Sequence, residues 1–269
     1  MHRSVRVGCV AYVAACGWTI GASAPAGAMS VSPMVLELNT AGARSTGRVE
    51  VTNILKQPLP YEVRVYRITF SPTDQVIETP ADSDFLVFPP QGVLQSNQRQ
   101  MVRVQWLGGP LDSSRGYYVA IDQLPVPLDP SKVGKAKPAV SVQIVYHMKV
   151  LVTVAPPGAQ PNVTVESVHP TMVAPPKVGG AAVPGAAPVP GIEVTVRNSG
   201  KRYAMMAGAT WTIQGKGADG KPLKVVLTSG DMSRILGAGY VAALDGRRTF
   251  DIPTGAKFAN APITVKFSN

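Results

Sequence analysis

The chain has 269 residues, 45% hydrophobic and 16% charged, with a net charge of +10. That length holds one large or two ordinary domains with a sizeable core. The basic residues form no run and no aromatic-interleaved patch, which speaks against a nucleic-acid partner. Glycine (26) and proline (25) are plentiful, as all-β chains with many turns require.

Residues 1–28 read as an export leader: Arg3 and Arg6, an apolar stretch "VGCVAYVAACGWTI", then a small-residue cleavage site at Ala26-Gly27-Ala28. The apolar stretch is shorter than the roughly 20 residues of a membrane span, so no stable membrane insertion is expected. Cleavage after Ala28 starts the mature chain at Met29 and takes the charge from +10 to +8. A rival reading stands beside it, because Val13-Ala14-Ala15-Cys16 resembles a lipoprotein box with Cys16 as the lipid-bearing residue. Both cysteines, Cys9 and Cys16, lie in the leader, so the mature fold rests on its cores without disulfides.

Six strand-like segments follow: 30–39, 44–55, 60–70, 85–90, 98–107 and 116–126. Each mixes period-two alternation with β-branched and aromatic residues. Turn chemistry separates them at Asn39-Thr40-Ala41-Gly42, Lys56-Gln57-Pro58, Ser71-Pro72-Thr73-Asp74 and Leu107-Gly108-Gly109-Pro110. The loop "PLDPSKVGKAKP" (127–138) is basic, and "AVSVQIVYHMKVLVTV" (139–154) forms a seventh strand. Its even positions are all apolar: Val140, Val142, Ile144, Tyr146, Met148, Val150, Val152 and Val154. Seven strands at this spacing indicate an immunoglobulin-like sandwich over 29–155.

"APPGAQP" (155–161) is a Pro-rich hinge. Segments 162–169, 191–198, 203–215, 221–229, 240–252 and 261–269 then make a second, smaller β-sandwich domain over 156–269. The Pro/Gly-rich stretch 170–191 interrupts it and reads as a loop. The fold class is therefore all-β, with two immunoglobulin-like β-sandwich domains joined by a Pro-rich hinge.

Catalytic and metal-binding signatures are missing from the sequence. Ser229 and Asp231 flank Gly230, while His147 and His169 lie far off in sequence, with no nucleophile elbow. Asp82 and Asp84, beside Pro80 and Ser83, read as turn-forming residues. No HExxH, CxxC or clustered His/Asp spacing suggests a metal, and no cofactor is expected. An exported, non-enzymatic, two-sandwich chain points to binding.

Several segments carry a family resemblance that runs through most of the mature chain. "GRVEVTNILKQPLPYEVRVYRITF" (47–70), "FPPQGVLQSNQRQMVRV" (88–104), "GYYVAIDQLPV" (116–126), "VTVRNSGKRYAMM" (194–206) and "LDGRRTFDIP" (244–253) follow one another in order. In these the chain resembles the PapD-like periplasmic chaperones of the chaperone–usher pilus pathway, in a divergent branch. The resemblance implies a periplasmic protein that binds pilus or fimbrial subunits. It lends its seventh strand to a groove in each subunit and delivers the subunit to an outer-membrane usher. Val140, Val142, Ile144 and Tyr146 become the subunit-binding face, with Met148 to Val154 serving the home core. An exposed strand of this kind also offers a route to self-association.

Family members hold the carboxyl terminus of the bound subunit with an Arg on the first strand and a Lys on the seventh. The first strand, "SVSPMVLEL", has no Arg, and an ungapped count from Pro156 places the family Lys at Leu151. Lys149, two residues earlier on the same face, is the anchoring candidate, and Arg64, Arg67 or Arg103 stands in for the missing Arg. The alternative is a structural or adhesive two-domain β protein, anchored through Cys16.

Overall fold

The computed structural model describes residues 29–71, 75–125, 145–176 and 184–268. The leader, the basic loop and residues 140–144 of the alternating stretch lie outside the described residues. Ten strand segments over 29–155 build two facing sheets. One sheet takes β1 (Met29–Ser32), β3 (Thr46–Asn53), β8 (Arg99–Trp106) and β6 (Phe85–Phe88), in the order β1-β3-β8-β6. The other takes β2 (Val35–Asn39), β10 (His147–Ala155), β9 (Arg115–Gln123), β4 (Leu59–Phe70) and β5 (Val76–Pro80), in the order β2-β10-β9-β4-β5. A short β7 (Gln91–Leu94) also pairs with β4.

The segment expected as one opening strand is split at Pro33, which has no N–H to donate to a ladder. Its two halves join different sheets: β1 pairs antiparallel with β3, and β2 runs parallel to β10. The alternation then does what period two requires. Val49 and Val51, Val102 and Val104, Val63 and Val65, Val119 and Ile121, and Val150, Val152 and Val154 all enter one core. Phe85 closes it, edge-on to Trp106 at 5.2 Å and to Tyr117 at 4.9 Å between ring centres. The two acids read as turn-formers sit in a 3-10 turn, Asp82–Asp84. Asp82 accepts from the Val65 N–H at 2.8 Å and Asp84 from the Tyr117 hydroxyl at 3.0 Å.

The second domain has a three-stranded sheet, β11 (Val163–Val173), β12 (Val189–Asn198) and β17 (Gly246–Pro253). Opposite it lie β15 (Pro222–Leu227), β14 (Thr210–Lys216) and β18 (Thr264–Ser268). A small ribbon pairs β13 (Ala204–Met205) with β16 (Tyr240–Val241). Trp211, Ile192, Ile213, Met232 and Ile252 fill the core between them.

Two features differ from the sequence reading. The loop expected over 170–191 is paired strand at both ends, since β11 runs on to Val173 and β12 starts at Val189. Pro170 is tolerated because β11 is an edge strand, and Pro190 because β17 pairs with β12 only from Gly191 on. The second domain also holds a helix, α1 (Ser229–Leu236), where a strand was read to residue 229. A capping box opens it: the Thr228 hydroxyl accepts from the Asp231 N–H, and the Asp231 carboxylate accepts from the Thr228 N–H. These bonds and Arg234 hold the Asp231 carboxyl down at about 2. Ser229 and Asp231 thus serve a helix start.

Each domain is pinned by one fully buried asparagine. Asn53 Nδ2 donates to the carbonyls of Gln57, Leu94 and Gln95, and Asn53 Oδ1 accepts from the Leu55 N–H. Asn198 repeats the device, donating to Arg202 and Ala242 carbonyls and accepting from the Asn162 and Gly200 N–H groups. Satisfying every polar atom makes such burial tolerable.

Candidate functional site

β10 has two different environments along its length. It pairs with β9 throughout, His147 opposite Asp122 and Val154 opposite Arg115. Its pairing with β2 begins only at Leu151. Among the described residues, therefore, the β2-side edge from His147 to Val150 has no strand beside it. The His147 Nδ1 lies 2.9 Å from Asp122 Oδ1, and the Gln123 N–H donates to the Tyr146 carbonyl at 2.9 Å, continuing the β9 ladder. Tyr146 and Met148 pack against the home core.

The outer face of the same sheet meets the second domain. Ile68, Leu151 and Ala155 form a buried cluster with Tyr203 and Tyr240. Tyr240 stacks between Phe70 and Tyr203, 5.9 Å from each ring centre. A Cβ on Gly116 would lie 2.8 Å from the Tyr240 hydroxyl and 2.9 Å from Ile68, so glycine is needed for this close approach. Polar contacts join the domains beside it. The Ser114 N–H donates to the Lys201 carbonyl at 2.9 Å, the Tyr203 N–H to the Ser114 hydroxyl at 2.7 Å, and Arg202 pairs with Glu37 at 3.0 Å. Burial raises the Tyr240 hydroxyl far above its ordinary range, and burial with Asp84 raises Tyr117 to about 12.

A cleft of about 680 Å³ opens next to this junction. Met34, Val35 and Leu151 form one wall, with Leu236, Arg248 and Phe250 on the other. The Arg248 guanidinium lies 4.4 Å from the Phe70 ring centre and donates weakly to the Tyr240 carbonyl at 3.4 Å. A second cleft of about 1110 Å³ shares Ile68, Phe70 and Tyr240 and extends to Arg67, Arg115 and Arg247.

The anchoring candidates do not converge. Lys149 stays on the cleft-side face of β10, bonded to both Glu78 oxygens at 2.7 and 2.8 Å and 5.6 Å from the Tyr118 ring centre. Arg103 is on β8, in the other sheet, exposed and donating to Gln105 at 2.7 Å. Strand parity puts it on the outside, since Val102 and Val104 take the core side. It cannot join Lys149 in one site. Arg64 is taken by Glu62 at 3.1 Å, and Arg67 lines the larger cleft. Leu151, where the ungapped count placed the family lysine, is buried between the domains. Tyr146, grouped with the subunit-binding face, instead packs on the home core, because the β9 ladder extends to it. Val140, Val142 and Ile144 lie outside the described residues.

Arg248 was missed. Its signal was parity: in β17 it shares a strand face with Phe250 and Ile252, both core residues. An arginine in an inward register near a strand end marks a place where that face leaves the core.

No protein-family model matches the sequence, and no curated protein matches it significantly. Solved structures do. The class 5 fimbriae chaperone CfaA shares 12% identity over 90% of this chain and 92% of its own, with a TM-score of 0.51. A chain from a chaperone–tip adhesin complex of CFA/I fimbriae biogenesis matches at 12% identity, 90% and 92% coverage and a TM-score of 0.50. The chain has the two-sandwich fold of the pilus chaperones. No helix among the described residues is long and apolar enough to cross a membrane.

Proposed function

We propose that this protein is a periplasmic chaperone that lends the segment entering β10 to pilus or fimbrial subunits and hands them to an outer-membrane usher. The observation that carries this reading is the open edge of β10. Among the described residues the strand from His147 to Val150 is held on the β9 side only, and the sequence leading into it alternates apolar residues at Val140, Val142 and Ile144. An extended segment with a free edge gives an incoming strand main-chain bonds, and its alternate side chains fill the partner's pockets. The solved structures of the same fold include a chaperone and a chaperone–adhesin complex, which supports the same role.

Under this reading the smaller cleft receives the end of the bound subunit. Lys149, beside the Tyr118 ring that lines the cleft, and Arg248 on the opposite wall supply positive charge for a carboxylate. Glu78 gives up Lys149 on binding. Arg103 faces elsewhere and takes no part. The test is co-expression with a secreted subunit encoded beside this protein. A soluble one-to-one complex is expected, whereas a subunit that aggregates equally with and without this chain overturns the proposal.

A further inference from the structure

Arg103 belongs to a second surface, on the face of the molecule turned away from the cleft. On the outside of the β1-β3-β8-β6 sheet, three strands bring three side chains into one row. Phe88 of β6 stands opposite Arg103 of β8, and Arg103 stands opposite Arg48 of β3. Phe88 is 67% exposed, the highest among the large apolar side chains described. Leu86 and Met101, in the rows on either side, are also exposed.

This row is costly for the isolated molecule. Directly opposed residues of an antiparallel pair have Cβ atoms about 5 Å apart, and like charges there repel. Among the described residues neither Arg48 nor Arg103 is paired with a carboxylate. Arg103 donates to Gln105, and the one acid of the neighbouring row, Glu50, is engaged by Arg99 at 3.7 Å. An anionic occupant would relieve that repulsion and gain charge-assisted bonds from two guanidinium forks. Phe88 beside them offers an apolar contact at the end of the row.

We propose that the Phe88–Arg103–Arg48 row docks a short acidic segment of a partner protein, with its carboxylates on the two arginines and an apolar side chain against Phe88. The size and polarity of the face favour a segment over a lipid surface. The two arginines span only two adjacent strands, and Glu50, in the next row, would lie against the anionic headgroups that such arginines attract, whereas a short segment can place its carboxylates on Arg48 and Arg103 alone. This surface is independent of the subunit-binding reading, because it uses the opposite sheet.

The probe is a fluorescent nine-residue peptide with one leucine followed by alternate glutamates, compared with the same peptide carrying glutamine. The glutamate peptide should bind the full mature chain and shift amide resonances on β3, β6 and β8. The glutamine peptide should not bind. In the double variant Arg48→Gln/Arg103→Gln, affinity should fall about tenfold or more, with a melting temperature no lower than that of the native chain, because both side chains are exposed and their repulsion is removed. Phe88→Ser should weaken binding separately, and salt should weaken binding to the native chain. Three results overturn the proposal: no binding of the glutamate peptide, equal binding by the double variant, or binding of phosphatidylglycerol vesicles without peptide binding.

Discussion

The two halves of β10 share one alternation and live in different surroundings. From Val150 to Ala155 every residue is buried, with Val150, Val152 and Val154 in the sandwich core and Leu151 and Ala155 against Tyr203 and Tyr240. From His147 to Lys149 one face only is covered, and one edge is open among the described residues. A period of two specifies which residues share a face. It does not specify how many faces are covered, because that depends on what packs against the outer side. The half that holds the molecule together is the one with two covered faces, and from Leu151 to Val154 both of its edges are paired.

That contrast can be broken most severely at Val152, which is fully buried opposite Tyr117. Val152→Asp places an unpaired carboxylate in the core and should cost more than about 4 kcal/mol, read as loss of the folded baseline in urea melts. Leu151→Ala should cost about 2 to 3 kcal/mol and loosen the domain junction, seen as greater interdomain spread in solution scattering. A native melting curve would show that the outer face of this half is not held by the second domain.

Titration sharpens the same point. Tyr117 has its pKa raised to about 12 in the folded state, above the ordinary value of 10.0. The stability this shift represents is complete below about pH 10 and is lost as pH rises through about 12. Tyrosinate absorbance should therefore show this residue ionising after the exposed tyrosines, at the onset of alkaline unfolding. Ionisation of all tyrosines together near their ordinary pKa, with the fold intact, would contradict its partly buried bond to Asp84.

On the open half the effects should be small. Lys149→Ala removes a partly exposed pair with Glu78 and should change stability by about 0 to 1 kcal/mol, with the urea midpoint as readout. Ile144→Asp should leave the melting curve within about 0.5 kcal/mol of the native chain while abolishing capture of a co-expressed subunit. An Ile144→Asp chain that unfolds would assign that residue to the home core and overturn its place in the proposed subunit-binding face.

Much of the framework is readable in the sequence. Val49, Val51, Val102, Val104, Val119 and Ile121 announced their strands and core faces by alternation, because a pleated strand sends successive side chains to opposite sides. The order of segments carried the two-sandwich fold class. The start of α1 was written in Thr228 and Asp231, but the strand read over 221–229 took in Ser229 and left residues 230–236 without an element, because eight residues are too few for helical periodicity to stand out. The prolines at 170 and 190 misled in the other direction. Whether a missing N–H matters depends on which strand edge it faces, and edge status is a property of the assembled sheet.

The candidate site divides along the same line. Sequence alone determined the alternation leading into β10, the basic balance of the chain and the absence of a first-strand arginine. Tertiary structure decided that Tyr146 belongs to the home core, that Lys149 and Arg103 lie on different sheets, and that Arg248 reaches the cleft. The physical reason is that alternation is local, set by the geometry of consecutive residues, whereas a site is made of side chains from distant strands. Their convergence depends on sheet order, register and the seating of Tyr240 against Gly116, and none of these can be read from any one segment.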